Sequence, residues 1–128
     1  MNLLTDDSKK VTIIGAGFVG SSIAYALTLK NIAKEIVLID VDKEKCLGEA
    51  LDIGHGISCL GMTKLYVGDY SDCVNSDLII ITAGRNRKVG ESRLDMASEN
   101  TKIVKNIVDS IKRYYNKGCI LIVSNPVD

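Results

Sequence analysis

A glycine-rich stretch near the start of the chain has the spacing of an anion-binding turn. The stretch is Gly15-Ala16-Gly17-Phe18-Val19-Gly20, which directly follows the apolar run 11–14 and opens a segment of small residues predicted to be a helix. Gly15 allows a tight turn, Gly17 lets an anion approach the backbone, and Gly20 lets the helix pack closely on a sheet. Backbone N–H groups and the positive end of the helix dipole would then face a phosphate group.

An acid at the end of the next apolar run indicates which ligand carries that phosphate. Asp40 follows the segment 35–39 and lies about 20 residues past the glycines, where a carboxylate accepts hydrogen bonds from the adenosine ribose of a dinucleotide. The same carboxylate would repel a 2′-phosphate, so the pattern predicts NAD rather than NADP. The glycines alone would leave an ordinary glycine turn open as the alternative.

Four basic side chains follow the most apolar segment of the sequence. The segment 77–84 predicts a central strand, and Arg85, Arg87, Lys88 and Arg93 come after it. Such a stretch can be a solvated loop, but the carboxyl ends of central strands are where doubly wound folds hold ligands. We therefore expect these cations to lie over a ligand. Without a ligand we expect the loop to be mobile, because its charges repel and no proline stiffens it.

Strands and helices alternate along the chain, which predicts a parallel sheet with right-handed crossovers. The expected fold class is α/β: a Rossmann-type, doubly wound sheet of at least five strands in the order 3-2-1-4-5, with helices on both faces. Predicted strands cover 11–14, 36–39, 64–67, 77–84 and 119–123, and predicted helices cover 18–30, 43 to about 53, and 92 to about 116. Asn31 is expected to cap the first helix, and Gly54-His55-Gly56 to end the second.

Composition excludes several classes of function. The chain has 128 residues and equal numbers of basic and acidic side chains, 16 of each, so it lacks the basic excess of a nucleic-acid-binding protein. No apolar run approaches the roughly 18 residues of a membrane span. Cys59 and the only histidine, His55, would have no close further ligands, so no metal site is predicted. Buried thiols in a reducing cytoplasm best explain Cys46, Cys59, Cys73 and Cys119.

Several motifs together resemble the family of L-lactate and malate dehydrogenases, over a span from about Val11 to Asp128. They are the glycine turn with its acid, Gly48-Glu49-Ala50-Leu51-Asp52 before His55-Gly56, Thr82-Ala83-Gly84 followed by Gly90-Glu91-Ser92-Arg93-Leu94-Asp95, and Ser124-Asn125-Pro126-Val127-Asp128. The resemblance implies that residues 1–128 are an NAD-binding Rossmann domain. Since the sequence stops in mid-pattern, we expect a longer protein whose substrate domain follows.

The resemblance also implies roles for single residues. Those implied to bind NAD are Gly15, Gly17, Phe18, Val19, Gly20, Asp40, Lys45, Tyr70, Gly84, Arg85, Val123, Ser124 and Asn125. Those implied to contact the substrate, a small 2-hydroxy or 2-keto acid, are Arg87, Arg93, Asn125, Pro126, Val127 and Asp128. Arg93 would polarise the substrate carbonyl when the loop closes. The acid–base histidine, its aspartate partner and an arginine for the substrate carboxylate would lie after Asp128, so residues 1–128 should bind NAD and catalyse nothing.

The resemblance leaves two substrates open. Arg87 stands where most lactate dehydrogenases have glutamine, and arginine there is the malate pattern, because a guanidinium pairs with the second carboxylate of oxaloacetate. The segment 91–95 resembles the lactate enzymes instead, and Val89 replaces the usual proline. We expect an L-lactate dehydrogenase of cytoplasmic fermentation that assembles as a homotetramer. Malate dehydrogenase is the alternative, and a non-catalytic NAD-binding module is less supported.

Overall fold

The computed structural model describes residues 9–57 and 63–124, which form one parallel sheet with helices on both faces. The strands are β1 (Lys10–Ile14), β2 (Glu35–Ile39), β3 (Lys64–Val67), β4 (Leu78–Ile81) and β5 (Cys119–Ile122). The helices are α1 (Phe18–Leu29), α2 (Lys43–Ile57) and α3 (Arg93–Ile111), and a 3-10 turn covers Tyr70–Cys73. The strand order is β3-β2-β1-β4-β5 with every pair parallel, which confirms the predicted topology.

β1 is the centre of the sheet because it pairs with both halves of the chain. Val11 lies opposite Ile36 of β2 on one side and opposite Leu78 of β4 on the other. Successive side chains enter opposite cores: Ile13 packs in the core beneath α1 and α2, and Ile14 in the core beneath α3. Both are buried, as expected for a parallel strand covered on two faces.

α1 ends with the helix cap that was predicted at Asn31. Asn31 has a left-handed backbone, with φ +53°, and its N–H donates to the Thr28 carbonyl at 3.1 Å. The Ile32 N–H donates to the Leu27 carbonyl, also at 3.1 Å. These two bonds form a Schellman motif, which satisfies carbonyls that the helix leaves unpaired.

The end of α2 differs from the prediction. The helix begins as expected, with Asp42 Oδ1 accepting from the Lys45 N–H at 3.0 Å. It then continues through Gly54-His55-Gly56 to Ile57. The glycines lack the positive φ that would stop a helix. Buried Ile53 anchors the turn that leads into them, so the weak helix propensity of glycine is overcome by packing.

α3 is shorter than predicted at its carboxyl end. Ser92 caps it, with Oγ accepting from the Asp95 N–H at 3.1 Å. It ends at Ile111, its last buried side chain, rather than near Asn116. Asn116 instead exchanges hydrogen bonds with Asn75, at 2.8 Å each, which turns the chain back toward β5.

The cysteines are only partly as predicted. Cys46 and Cys73 are buried, and burial raises the pKa of each thiol to about 11, so both stay protonated. Cys119 is exposed on the edge strand β5, contrary to the expectation of four buried thiols, and Cys59 lies outside the described residues. Within the described ranges, no group of His, Cys, Asp or Glu could hold a metal ion, and no helix could cross a membrane.

The contact between α1 and the turn after β1 gives a test of the fold. A Cβ on Gly20 would overlap the Gly15 carbonyl oxygen, whereas a Cβ on the exposed, helical Gly48 of α2 would meet no atom within 4 Å. Gly20→Ala should therefore lower the free energy of unfolding by at least about 2 kcal/mol. Gly48→Ala, the matched control, should raise it by about 0.5–1 kcal/mol. Denaturant unfolding measures both free energies of unfolding. Equal values for the two variants would contradict the close packing of Gly20 on the Gly15 carbonyl.

Candidate functional site

A cleft of about 460 Å³ opens beyond the carboxyl ends of β1, β2 and β4. At this edge the strand order passes from one side of β1 to the other, which is where doubly wound folds bind ligands. The cleft is lined by residues predicted to bind a cofactor, namely Gly15, Gly17, Asp40, Lys45, Tyr70, Gly84 and Arg85. The fold thus brings together side chains from separate parts of the chain.

The glycine turn is hydrogen-bonded to the sheet on one side and has free space on the other. The Gly15 N–H donates to the Ile39 carbonyl at 2.8 Å, and Thr82 Oγ1 donates to the Gly15 carbonyl at 3.0 Å. At Gly17, by contrast, a Cβ would meet no atom within 4 Å, and α1 begins there without a side-chain cap. The first N–H groups of a helix have no partners within it. An anion in the cleft can supply those partners.

The carboxylate of Asp40 is fixed by the backbone on both sides. Oδ2 accepts from the Ala16 N–H at 2.7 Å, and Oδ1 accepts from the Asp42 N–H at 3.0 Å. The first of these bonds braces the glycine turn, a role that the sequence did not predict. Each carboxylate oxygen can accept a second hydrogen bond, so ribose hydroxyls can still bind. Beside it, burial and then the Asp40 charge raise the pKa of Tyr70, which remains a neutral hydroxyl.

α3 supplies a wall of the cleft that the sequence did not indicate. Ile103, Asn106 and Ile107 lie along it. Ile103 and Ile107 are one helical turn apart and belong to an apolar stripe along α3. Periodicity identifies such a stripe, but it does not distinguish the part that packs on the sheet from the part that borders a ligand.

Several predicted site residues lie outside the cleft. Phe18 is 96% exposed and, with half-exposed Val19, borders a separate shallow surface on α1. Gly20 is buried behind the turn. Among the carboxyl-terminal predictions, Val123 donates its N–H to the Ile81 carbonyl at 2.8 Å. Ser124 Oγ donates to the carbonyl of Ala83, a cleft residue, at 2.7 Å. The predicted residues Asn125, Pro126, Val127 and Asp128 lie outside the described residues.

The segment 85–92, which we call the basic loop, is joined to α3 through Arg85. The guanidinium of Arg85 donates to both carboxylate oxygens of Glu91, through Nη1 at 2.7 Å and through Nη2. Its Nε donates to Glu99 of α3. The Arg85 N–H donates to Asn100 Oδ1 at 3.0 Å, so both backbone and side chain are attached to the helix.

Glu91 organises the rest of the basic loop. Its carboxylate also accepts from the Lys88 N–H at 2.9 Å, and its backbone carbonyl accepts from Arg87 Nε at 2.8 Å. Arg85 and then the Lys88 N–H lower the pKa of Glu91 to about 2, so it is ionised at neutral pH. The expected repulsion between the bases is therefore wrong as a description of this loop, because the Glu91 carboxylate pairs with Arg85 and accepts from the Lys88 N–H. The mobility of the basic loop without a ligand stays a prediction.

The two arginines predicted to meet substrate both lie outside the cleft lining. Arg87 is exposed and folded back on the loop through its bond to Glu91. Arg93 is exposed at the first position of α3. Neither lines the cleft, so the roles predicted for them require the loop to move.

Comparisons with known proteins agree with this geometry. A family model described as lactate/malate dehydrogenase, NAD binding domain, matches residues 9–128. The L-lactate dehydrogenase of Acetivibrio thermocellus is 50% identical over 120 residues, and that of Thermoanaerobacter pseudethanolicus is 53% identical over 119. These matches cover 94% and 93% of this chain, but the chain spans only 38% of the length of each relative.

Solved structures give the same result. The minor L-lactate dehydrogenase of Enterococcus mundtii, solved in a ligand-bound form, superposes with a TM-score of 0.89 at 43% identity. A lactate dehydrogenase from a Medee basin deep-sea metagenome superposes with a TM-score of 0.88 at 42% identity. Each match covers 94% of this chain and 39% of the solved chain. The chain therefore belongs to the lactate/malate dehydrogenase family and matches its NAD-binding domain.

Proposed function

We propose that the whole protein is an NAD-dependent L-lactate dehydrogenase that interconverts L-lactate and pyruvate. The observation that carries this proposal is the position of the basic loop, which leaves β4 at the same edge of the sheet as the open glycine turn and Asp40. A module that only senses NAD has no need of arginines there. The names of the similar proteins support lactate rather than malate as the substrate class.

In this proposal residues 1–128 are the NAD-binding domain, and a substrate domain follows them. That second domain carries the acid–base histidine, its aspartate partner and the arginine that binds the substrate carboxylate. Asn125, Pro126, Val127 and Asp128 are proposed to contact the substrate, Asn125 through the substrate oxygen. The described cleft then binds the cofactor, and residues 1–128 alone catalyse nothing. We expect the complete protein to be a cytoplasmic homotetramer of fermentation.

The cleft offers matching groups to each part of NAD. The uncapped start of α1 at Gly17 suits the pyrophosphate, because its N–H groups lack acceptors within the helix. Asp40 suits the adenosine ribose, with Lys45 and Tyr70 beside it. The apolar surface of Ile103 and Ile107 suits the ring systems. When bound, NAD supplies the hydride acceptor, and the chain supplies orientation and charge.

Arg93 is proposed to act on the charge that develops during hydride transfer. The ketone oxygen becomes negative in the transition state, and a guanidinium brought to it in a site without water stabilises that charge. Because Arg93 lies outside the cleft lining, the basic loop must close together with the first residue of α3 to deliver it, and reopening must release product. Arg87, which is exposed, stays hydrated while pyruvate is bound. Burying it unpaired against the methyl group would cost several kcal/mol.

The carboxylate of Asp40 predicts the cofactor preference. The full-length protein should bind NAD at least tenfold more tightly than NADP, a difference of about 1.4 kcal/mol. Asp40→Ser should narrow that gap, because it removes both the ribose acceptor and the repulsion of a 2′-phosphate. Asp40→Asn, the control, keeps an oxygen for the Ala16 N–H while removing the charge. Fluorescence titration measures each affinity, and equal wild-type affinities would show that Asp40 does not meet the ribose.

Arg93→Gln should separate catalysis from cofactor binding. Its charge counts mainly in the transition state, so the rate of hydride transfer should fall by at least about 100-fold. NAD affinity should change by less than about threefold, since Arg93 is not part of the cleft lining. Single-turnover kinetics of the full-length enzyme and NAD titration measure the two quantities. If the rate of hydride transfer and the affinity for NAD fell by the same factor, Arg93 would be assigned to cofactor binding instead.

Arg87→Gln tests the choice of substrate. Pyruvate turnover should stay intact or improve, and any side activity on oxaloacetate should disappear, because the partner of its second carboxylate is removed. Steady-state kinetics on both keto acids decide the matter. If oxaloacetate is the better wild-type substrate and the variant loses the main activity, the protein is a malate dehydrogenase.

A further inference from the structure

Arg87 is held away from the cleft by a chain of contacts that begins on α3. We propose that Arg85, acting through Glu91, is a specificity-determining positioning residue: it keeps Arg87 folded back on the basic loop, and so favours pyruvate over 2-keto acids with a second carboxylate. This inference rests on the proposed function. It assigns the choice of substrate to a residue outside the substrate pocket as well as to Arg87.

The first contact in the chain is the one that holds Arg87 itself. Arg87 Nε donates to the backbone carbonyl of Glu91 at 2.8 Å, and its side chain is exposed. No burial keeps this arginine in place, so its orientation depends on that hydrogen bond. The acceptor belongs to the backbone. Whatever fixes the peptide group of residue 91 therefore fixes Arg87.

Three further contacts hold the backbone at Glu91. The Glu91 N–H donates to the Lys88 carbonyl at 3.1 Å, which closes a turn around Gly90 with its φ of +79°. The Glu91 carboxylate accepts from the Lys88 N–H and, at both oxygens, from Arg85. Only 13% of the Glu91 side chain and 22% of the Arg85 side chain are exposed. A bidentate, largely desolvated pair is stronger and more directional than a surface pair.

The last contacts join Arg85 to the body of the domain. Arg85 Nε donates to Glu99, and the Arg85 N–H donates to Asn100 Oδ1 at 3.0 Å. Asn100 is buried in α3, and Nδ2 also donates to the Arg85 carbonyl at 3.4 Å. The contacts thus run from a buried position on α3 through Arg85 and Glu91 to Arg87. The orientation of Arg87 is set by the fold and not by the loop alone.

This arrangement treats the two keto acids differently. Oxaloacetate needs the guanidinium of Arg87 at its second carboxylate, so Arg87 must leave the Glu91 carbonyl that the Arg85–Glu91 pair holds in place. Pyruvate presents a methyl group there and requires no such change. Weakening the Arg85–Glu91 pair should therefore raise kcat/KM for oxaloacetate and should not raise kcat/KM for pyruvate to a comparable extent.

The test uses the full-length enzyme at saturating NADH and measures kcat/KM for pyruvate and for oxaloacetate. Glu91→Gln and Arg85→Met should each raise the oxaloacetate-to-pyruvate ratio at least tenfold, and Arg85→Lys should raise it less. The ratio cancels any effect on cofactor binding that both substrates share. In an Arg87→Gln background the same changes should not restore activity on oxaloacetate, because Arg87 is the group that they release. A merely structural weakening would not depend on Arg87.

Asp109→Asn is the matched control, since it breaks the ion pair with Lys105 on α3, 2.9 Å long, without touching the basic loop. Its ratio should equal that of the wild type. If Glu91→Gln or Arg85→Met fails to fold, Glu99→Gln removes only the outer anchor of Arg85 and should give a smaller rise.

Three results would overturn the inference. In an enzyme that reduces pyruvate, an unchanged ratio in folded variants would refute it and leave the proposed function standing. A rise that persists in the Arg87→Gln background would show that Arg87 is not the group released. A wild-type enzyme that reduces oxaloacetate better than pyruvate, or reduces neither, would overturn the proposed function and this inference with it.

Discussion

The cleft depends on the close approach of α1 to the turn after β1. Because Gly20 has no side chain, the helix packs directly on the Gly15 carbonyl and begins at the edge of the sheet. The same turn is bonded to β2 through Asp40 and to β4 through Thr82. The carboxyl ends of three strands therefore meet at one short segment. Its open side is the place where unpaired helix N–H groups can receive an anion.

The other wall of the site is built on a different principle. The basic loop has little apolar surface to bury, and its order comes from charge pairs and backbone hydrogen bonds. Glu91 pairs with Arg85 on the side toward α3, while its carbonyl holds Arg87 on the outer side. One side of the site, the glycine turn and α1, is held by close packing. The other side, the basic loop, is held by polar contacts that can be broken and formed again. The loop closure that we propose would require the second kind of stabilisation.

The sequence predicted the topology well because that information is periodic and local. Alternating strands and helices predict a parallel sheet, and the glycine spacing with Asp40 predicts which edge holds the ligand. It failed where packing overrides a local signal, as at Gly54-His55-Gly56 within α2. Packing also leaves an apolar residue at the start of α3 unburied: Leu94 is 80% exposed, because α3 packs mainly through its later turns.

Partners within a loop were the least predictable part of the site. Arg85 and Glu91 follow no helical or strand period, so composition indicated a cluster of bases and not an ion pair. The apolar wall at Ile103 and Ile107 was similarly hidden, since a stripe in sequence does not show which of its ends borders a ligand. Both features depend on where the sheet holds α3, which only the assembled fold defines.

The double use of Asp40 constrains how this protein could evolve. The oxygen that accepts from the Ala16 N–H belongs to the carboxylate that we propose to bind the ribose, so cofactor choice and the shape of the turn would share one side chain. A substitution of Asp40 that leaves no acceptor would remove this structural brace together with the ribose acceptor. Intermediates that retain an acceptor, such as asparagine, provide a passable route, whereas an abrupt change to an apolar residue does not. A change of cofactor preference at this position would therefore also carry a cost in stability.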